Sequence, residues 1–156
     1  MNDLVVALAA LPPEGLELLL HLSPQVMAAL AAGDGEEPPA LLTPLTGVLR
    51  LRRLGPRLEV RGDFQVEAAL ACDRCLAPAS ASVAGEIAEC LILAEGEAAD
   101  ADEALAVIDG RVDLSGLLAE SFWLAWPYRF ICRPDCAGLC LACGADLNRG
   151  PCGCPG

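Results

Sequence analysis

The sequence predicts an α+β fold, a twisted antiparallel β-meander with a few short helices and a C-terminal cysteine-rich zinc-binding tail. Three observations carry that expectation. From Leu58 to Cys72 apolar and polar residues alternate over fifteen positions, the pattern of an extended strand with one buried face. Leu114, Leu117, Leu118, Phe122 and Ala125 instead recur at helical spacing. Beyond Pro127 both periodicities stop, and Cys132 to Cys154 holds six of the nine cysteines. The division expected is an α+β core domain over 1–131 and a zinc-binding tail over 132–156.

Taken in order, Leu4 to Leu11 is apolar, and Pro12-Pro13-Glu14-Gly15 turns the chain. Leu16, Leu18, Leu20 and Leu22 then alternate with Glu17, Leu19 and His21, which predicts a strand returning beside the first; leucine's helix propensity makes a helix the competing assignment. His21, the single histidine, falls on the polar side as a surface residue. Ser23-Pro24 reads as an N-cap and first helical residue, with Gly33 closing a short helix. Asp34 to Ala40 is a polar, proline-bearing linker.

Leu45 to Arg53 repeats the alternation, with Leu49 and Leu51 inside and Arg50 and Arg52 outside. Leu54-Gly55-Pro56-Arg57 joins it to the long strand as a hairpin. A third strand is expected from Ser80 to Leu93, after a loop holding Cys72 and Cys75. Within it Cys90 has no thiol neighbour and is read as a small buried hydrophobe. The stretch 95–104 is an acidic, alanine-rich loop, and Leu105 to Ile108 adds one short strand. Asp113 or Ser115 caps the second helix, which ends before Pro127. Its Trp123 and Trp126 are expected to pack in the core rather than stack on bases.

The net charge is −12, all ten basic residues are arginines, and there is no lysine. Such a chain binds naked nucleic acid poorly, because phosphate neutralisation supplies most of that affinity; DNA is not an expected partner. Basic proteins suit it better, ribosomal proteins among them. The N-terminus carries no secretory signal pattern and no apolar run spans a bilayer, so a cytoplasmic protein without a membrane role is expected. In that compartment thiols stay reduced, and clustered cysteines bind metal more often than they form disulfides.

Cys140-Leu141-Ala142-Cys143-Gly144 is a knuckle, a C-x-x-C pair whose following glycine lets both sulfurs turn onto one ion. Zinc takes four such ligands at about 2.3 Å. The completing pair is either Cys152 with Cys154 downstream or Cys132 with Cys136 upstream.

C-D-R-C-L at Cys72 to Leu76, V-D-L-S-G-L-L-A-E-S-F-W-L-A-W-P at Val112 to Pro127, and C-R-P-D-C-A-G-L-C-L-A-C-G-A-D-L-N ending in C-G-C occur in that order. Together they resemble the YceD family, the large-ribosomal-RNA-subunit accumulation proteins of bacteria and plastids, over roughly Leu45 to Cys154. The resemblance implies a non-enzymatic role in making or stabilising 23S ribosomal RNA, and hence in ribosome biogenesis. Two departures stand out: Leu141 replaces the proline common in the relatives' knuckle, and the acidity without lysine argues against an extended basic RNA-binding surface.

Beside that resemblance, nine thiols divide as four, four and one. Cys72 and Cys75 are expected to join Cys132 and Cys136 at one zinc, packing the tail on the core through the 72–75 loop. Cys140, Cys143, Cys152 and Cys154 would make a second, local site. A competing single-site grouping takes Cys132, Cys136, Cys140 and Cys143.

Eight thiolate ligands would leave no open coordination position, and no nucleophile–base set or phosphate-cradling loop is present, so no enzymatic activity is expected. The alternatives are a protein-binding adaptor without an RNA role and an iron–sulfur or redox protein. The latter draws on the Cys136-x3-Cys140-x2-Cys143 spacing shared with radical-SAM enzymes. Arg50, Arg52, Arg53, Arg57 and Arg61 are the candidates for contacting a large-subunit rRNA precursor or another acidic partner. Their competing role is cross-strand pairing with Glu59, Asp63 and Glu67. A basic ribosomal protein is the alternative partner, and no feature fixes an oligomeric state.

Overall fold

A computed structural model describes residues 4–32, 39–96 and 104–154. Five strands form one sheet in the order β2-β3-β4-β5-β6. They are β2 (Leu16–Leu22), β3 (Leu45–Leu54), β4 (Arg57–Ala71), β5 (Pro78–Glu95) and β6 (Ala104–Val107). The first four run antiparallel in sequence order, so the expected meander is the body of the molecule. β6 is added parallel to β5, pairing Ile92 with Ala104 through Glu95 with Val107. A separate two-stranded sheet joins β1 (Val5–Ala7) to β7 (Arg111–Asp113).

That second sheet corrects one expectation. Leu16–Leu22 is a strand, yet it does not return beside the first; it pairs with β3, Leu16 opposite Leu51 and Leu22 opposite Leu45. A 3₁₀ turn at Leu8–Ala10 and the turn closed by Gly15 N–H to Pro12 O carry the chain off. β1 is then free to meet β7, far along the chain.

The alternation does its work in the long hairpin. Leu49 and Leu51 on β3 face Gly62 and Val60 on β4, and Leu58, Val60, Phe64, Val66 and Ala68 are buried. Opposite faces carry the charges, as an antiparallel sheet with one wet side permits. The inner face is covered by α1 (Pro24–Ala32) and α2 (Ser115–Ala125), whose Met27, Leu118 and Phe122 lie in the same core cluster. Close seating of α2 on β5 depends on Gly85: a Cβ there would lie 2.5 Å from Phe64 Cζ and 2.9 Å from Ala125 Cβ.

The N-cap of α2 is Leu114, between the two expected residues, and it makes no side-chain cap bond; the preceding Asp113 reaches over it. Asp113 Oδ1 accepts from Ser115 N–H at 2.8 Å, and Ser23 Oγ from Val26 N–H at 3.4 Å. Trp123 Nε1 donates to Ala31 O at 2.7 Å, fastening α2 to α1, and Trp123 and Trp126 pack against the core. Gly33, the segment 34–38 of the linker and residues 97–103 of the acidic loop lie outside the described residues. Among the described residues no helix is long and apolar enough to cross a membrane.

Cys90 corrects the second expectation, because it is exposed. Val83, Ile87 and Leu91 take the buried phase of β5, which puts Cys90 on the wet face opposite Glu59.

Candidate functional site

β4 runs out at Ala71, and the next four residues turn back on themselves. Leu76 N–H donates to Cys72 O at 2.8 Å and Cys72 N–H to Ala77 O at 2.9 Å. The same pair of bonds recurs in the tail, where Gly144 N–H donates to Cys140 O at 2.8 Å and Cys140 N–H to Ala145 O at 2.8 Å. Cys72–Cys75 and Cys140–Cys143 are thus two copies of one knuckle. The residue after the second cysteine sits in the left-handed region in both, Leu76 at φ 58° and Gly144 at φ 73°. Glycine takes that conformation freely; leucine holds it at a steric cost of about 1–2 kcal/mol.

The tail closes over the first knuckle through backbone pairing. Asp73 N–H donates to Phe130 O at 2.9 Å, and Asp73 Oδ2 accepts from Phe130 N–H at 2.6 Å. Leu139 N–H donates to Arg74 O at 3.0 Å, and Arg74 Nη1 to Cys136 O at 3.0 Å. Cys72, Cys75 and Cys136 form a small buried cluster of their own, lined by Ala77, Ile131 and Leu139 and separate from the main core.

This folding sorts eight thiols into two quartets, Cys72, Cys75, Cys132 and Cys136 in one and Cys140, Cys143, Cys152 and Cys154 in the other. Within each quartet every Sγ lies within 4.8 Å of the others. Cys72 Sγ is 3.8 Å from Cys136 Sγ, and Cys75 Sγ is 3.8 Å from Cys132 Sγ. Four thiolates at about 2.3 Å around one zinc stand about 3.8 Å apart along each tetrahedral edge, so these spacings fit a single tetrahedral ion. Cys132 and Cys136 therefore group with the first knuckle, and the competing set with Cys140 and Cys143 is not brought together. The C-x3-C-x2-C run is likewise divided, Cys136 in one quartet and Cys140 and Cys143 in the other.

Backbone N–H groups aimed at sulfur prepare one thiolate in each quartet. Cys132 N–H, and less strongly Arg74 N–H, point at Cys72 Sγ from 3.4 Å, and the Cys72 thiol is lowered to about 6. The backbone N–H groups of Cys143 and Ala142 lower Cys140 to about 6. Burial, then the neighbouring thiols, push Cys132 up to about 12. At Cys75 the Ala77 N–H favours the thiolate, but burial and the Cys72 and Cys136 sulfurs outweigh it and leave the pKa raised. Cys154 is raised by the Cys143 sulfur and by burial. Each quartet thus combines a ready thiolate with thiols whose protons a cation must displace, as metal binding to cysteines requires.

Two residues outside the expected set complete the centre. Asn148 Oδ1 accepts from Ala137 N–H at 2.8 Å and Arg133 Nη2 at 2.7 Å, while its Nδ2 donates to Asp146 Oδ1 at 2.7 Å and Cys136 Sγ at 3.5 Å. Asp146 Oδ1 also accepts from Asn148 N–H at 3.0 Å, and that bond first, then the Asn148 side chain, holds the carboxyl below its ordinary pKa. The D-L-N triplet between Gly144 and Gly150 is the signal that could have found them, since Asp and Asn favour such local turns.

The arginine hairpin is a second, separate feature. Strand alternation puts Arg50, Arg52, Arg57 and Arg61 on the wet face of the sheet, whereas Arg53, opposite Leu58, takes the other side beyond the end of the core. Arg50 stands directly opposite Arg61, and each is relieved by a carboxylate. Arg50 Nε meets Glu17 Oε2 at 3.0 Å and Arg61 Nε meets Glu59 Oε1 at 2.9 Å. Glu17 reaches Arg50 from β2, and Asp63 and Glu67 pair with none of the five. Arg53 Nε donates to Gly55 O at 3.3 Å. Among the described residues Arg52 and Arg57 make no ion pair.

The chain is 31% identical over 106 residues to uncharacterised proteins of Mycobacterium tuberculosis and Mycobacterium bovis, covering 66% of this chain and 51% of theirs. A Mycobacterium leprae protein is 39% identical over 41 residues, 26% of this chain and 19% of its own length. The chain thus spans about half the length of the first of these relatives. No solved structure matches it. The family model described as "Large ribosomal RNA subunit accumulation protein YceD" matches residues 60–156, from near the start of β4 through both quartets. The chain belongs to the YceD family.

Proposed function

We propose that this protein is a non-catalytic, zinc-stabilised factor that supports the accumulation and processing of large-subunit ribosomal RNA. The observation that carries the reading is the pair of all-thiol quartets inside the region that matches the family. Four thiols in each quartet would hold one Zn2+, supplying a structural cross-link rather than a Lewis acid, because no position is left for water or substrate. The first would pin the 132–156 tail to the end of β4, and the second would order a stretch that has almost no apolar core. Structural zinc supplies on the order of 10–16 kcal/mol in finger peptides, enough for such a segment.

Charge favours a basic ribosomal protein as the direct partner over bare RNA. The net charge is −12, and Arg50 and Arg61 are each engaged by a neighbouring glutamate. Arg52 and Arg57 are then the cations best placed for phosphate. Co-purification of the tagged protein from its own cells tests the reading. Recovery with large-subunit precursors, and two zinc ions per chain by elemental analysis, is the expected result; recovery with neither precursors nor ribosomal proteins would refute it.

A further inference from the structure

Asn148 links the first cysteine quartet to the loop that joins Cys143 to Cys152. Its acceptor oxygen holds Arg133, next to Cys132, and Ala137, next to Cys136, and its amide nitrogen reaches Cys136 Sγ itself. On the other side it is tied to Asp146 by both backbone and side chain, within the loop that runs from Cys143 to Cys152. All of its side-chain hydrogen-bonding positions are used, three on the segment of the first quartet and one on Asp146 in the loop that joins Cys143 to Cys152.

Besides Asn148, the quartets are connected among the described residues by a short stretch of chain and a few backbone bonds. Cys136 and Cys140 are joined by Ala137-Gly138-Leu139, held to the first knuckle by Leu139 N–H on Arg74 O. The returning chain is held to it by Leu147 N–H on Gly138 O at 2.9 Å and by the isolated bridge of Leu139 with Asp146. Among the described residues, no helix or strand longer than the three-residue 3₁₀ turn Leu147–Arg149 follows Cys132. When the first quartet closes on an ion, Arg133, Cys136 and Ala137 are fixed where Asn148 needs them. Part of the ordering that the second quartet requires is then already in place.

From this geometry we infer that Asn148 is a positioning residue that makes metal binding at the two quartets cooperative. The inference rests on reading the quartets as metal sites. Filling either quartet raises affinity at the other, and by linkage the factor is the same in both directions. At limiting metal the chains divide into fully loaded and empty, with few singly loaded.

Cobalt(II) titration of the full-length chain, reduced and metal-free, tests this through the sulfur-to-cobalt charge-transfer band. Cys140→Ser with Cys143→Ser disables the second quartet; the change in cobalt affinity at the first is the coupling. The expected loss is about 5–150-fold with Asn148 present, the usual range of coupling between sites. In an Asn148→Ala background the same double change should shift affinity less than about twofold, completing a thermodynamic cycle. Tryptophan emission reports that the sheet and helices stay folded throughout.

Asn148→Asp supplies a second readout. It keeps an acceptor for Ala137 N–H but loses the donor to Cys136 Sγ, so the more electron-rich sulfur should move the first quartet's charge-transfer band to lower energy. A residue that only braced the backbone would leave the band in place. An equal coupling factor with and without Asn148, or no coupling at all, overturns the inference while leaving two metal sites. Failure of either quartet to bind cobalt overturns the metal reading itself.

Discussion

Cys72 Sγ lies 3.8 Å from Cys136 Sγ across 64 positions of sequence. The contact joins the end of a long, well-packed strand to a tail with almost no core of its own. Local spacing closes the knuckle at Cys140 and Cys143, whereas the first quartet exists only because β4 delivers Cys72 and Cys75 to the place where Cys132 and Cys136 arrive. Loss of a first-quartet ligand should therefore be felt further than loss of a second-quartet one.

Cys72→Ser should remove one zinc per chain and lower the thermal midpoint by about 10 °C or more, on the scale of about 2–4 °C per kcal/mol for a chain of this size. Cys140→Ser should also remove one zinc, yet increase hydrogen exchange only in the tail beyond Cys136 and leave β3 to β5 protected. Identical exchange maps for the two variants would contradict the separate anchoring of the quartets. Cys90→Ser, on the exposed face of β5, should change neither zinc content nor midpoint.

Acid should release the metal. Cys72 and Cys140 are both lowered to about 6, held there by backbone N–H groups of Cys132 and of Cys143 and Ala142. A depressed pKa favours the thiolate above it, and that preference is lost as pH falls through about 6. Cys132, raised to about 12 by desolvation of its sulfur and by the neighbouring thiols, would give up its proton only to a bound metal, which would make the competition with protons steeper. Zinc release followed with a chromogenic chelator should be slight at about pH 8 and rise sharply below about pH 6. Retention of both ions at about pH 4 would rule out this account.

Gly85→Ala should destabilise the fold without touching the quartets. An added Cβ would sit 2.5 Å from Phe64 Cζ and 2.9 Å from Ala125 Cβ, inside the α2–β5 interface. Overpacking of this kind costs about 1–3 kcal/mol. Denaturant unfolding should show a lower midpoint at unchanged zinc content; a wild-type midpoint would mean that α2 shifts freely.

How far the sequence alone reaches is clear from where the expectations hold and where they part from the structure. Period two places every side chain of β4 on its face, and Leu54-Gly55-Pro56-Arg57 sets the β3–β4 register, because both are local signals. Pairing partners are not local. Nothing near Leu16 says that it meets Leu51, so the Arg50–Glu17 ion pair is invisible in the sequence, where Glu59, Asp63 and Glu67 look like the obvious partners. Cys90 could have been placed correctly, since Val83, Ile87 and Leu91 share a phase that excludes it. Spacing identifies the thiols as a set, but their division into quartets follows from where β4 ends. Asn148 escapes notice because a lone amide has no periodic signature.

Binding of RNA or another polyanion, if made by the hairpin, falls to the arginines with no carboxylate of their own. Arg52 is exposed and sits opposite Glu59, which is already taken by Arg61; Arg57 lies at the hairpin end opposite Leu54. Neutralising these two to Gln breaks no existing ion pair, whereas Arg52→Glu would set a carboxylate against Glu59, and Arg50→Glu one against Glu17, blurring binding with stability. The Arg52→Gln, Arg57→Gln variant should keep the wild-type midpoint and zinc content. If the partner is RNA, its association with large-subunit precursors should weaken. The slope of log affinity against log salt should then fall by about 1.4–1.8, at about 0.7–0.9 for each of two phosphates no longer neutralised. If the partner is a basic ribosomal protein gripped by acidic residues, the same variant should bind as well as the wild type or more tightly. Unchanged sedimentation with precursors would thus remove the arginines from the interface and leave the negative charge of the chain as the attractive force.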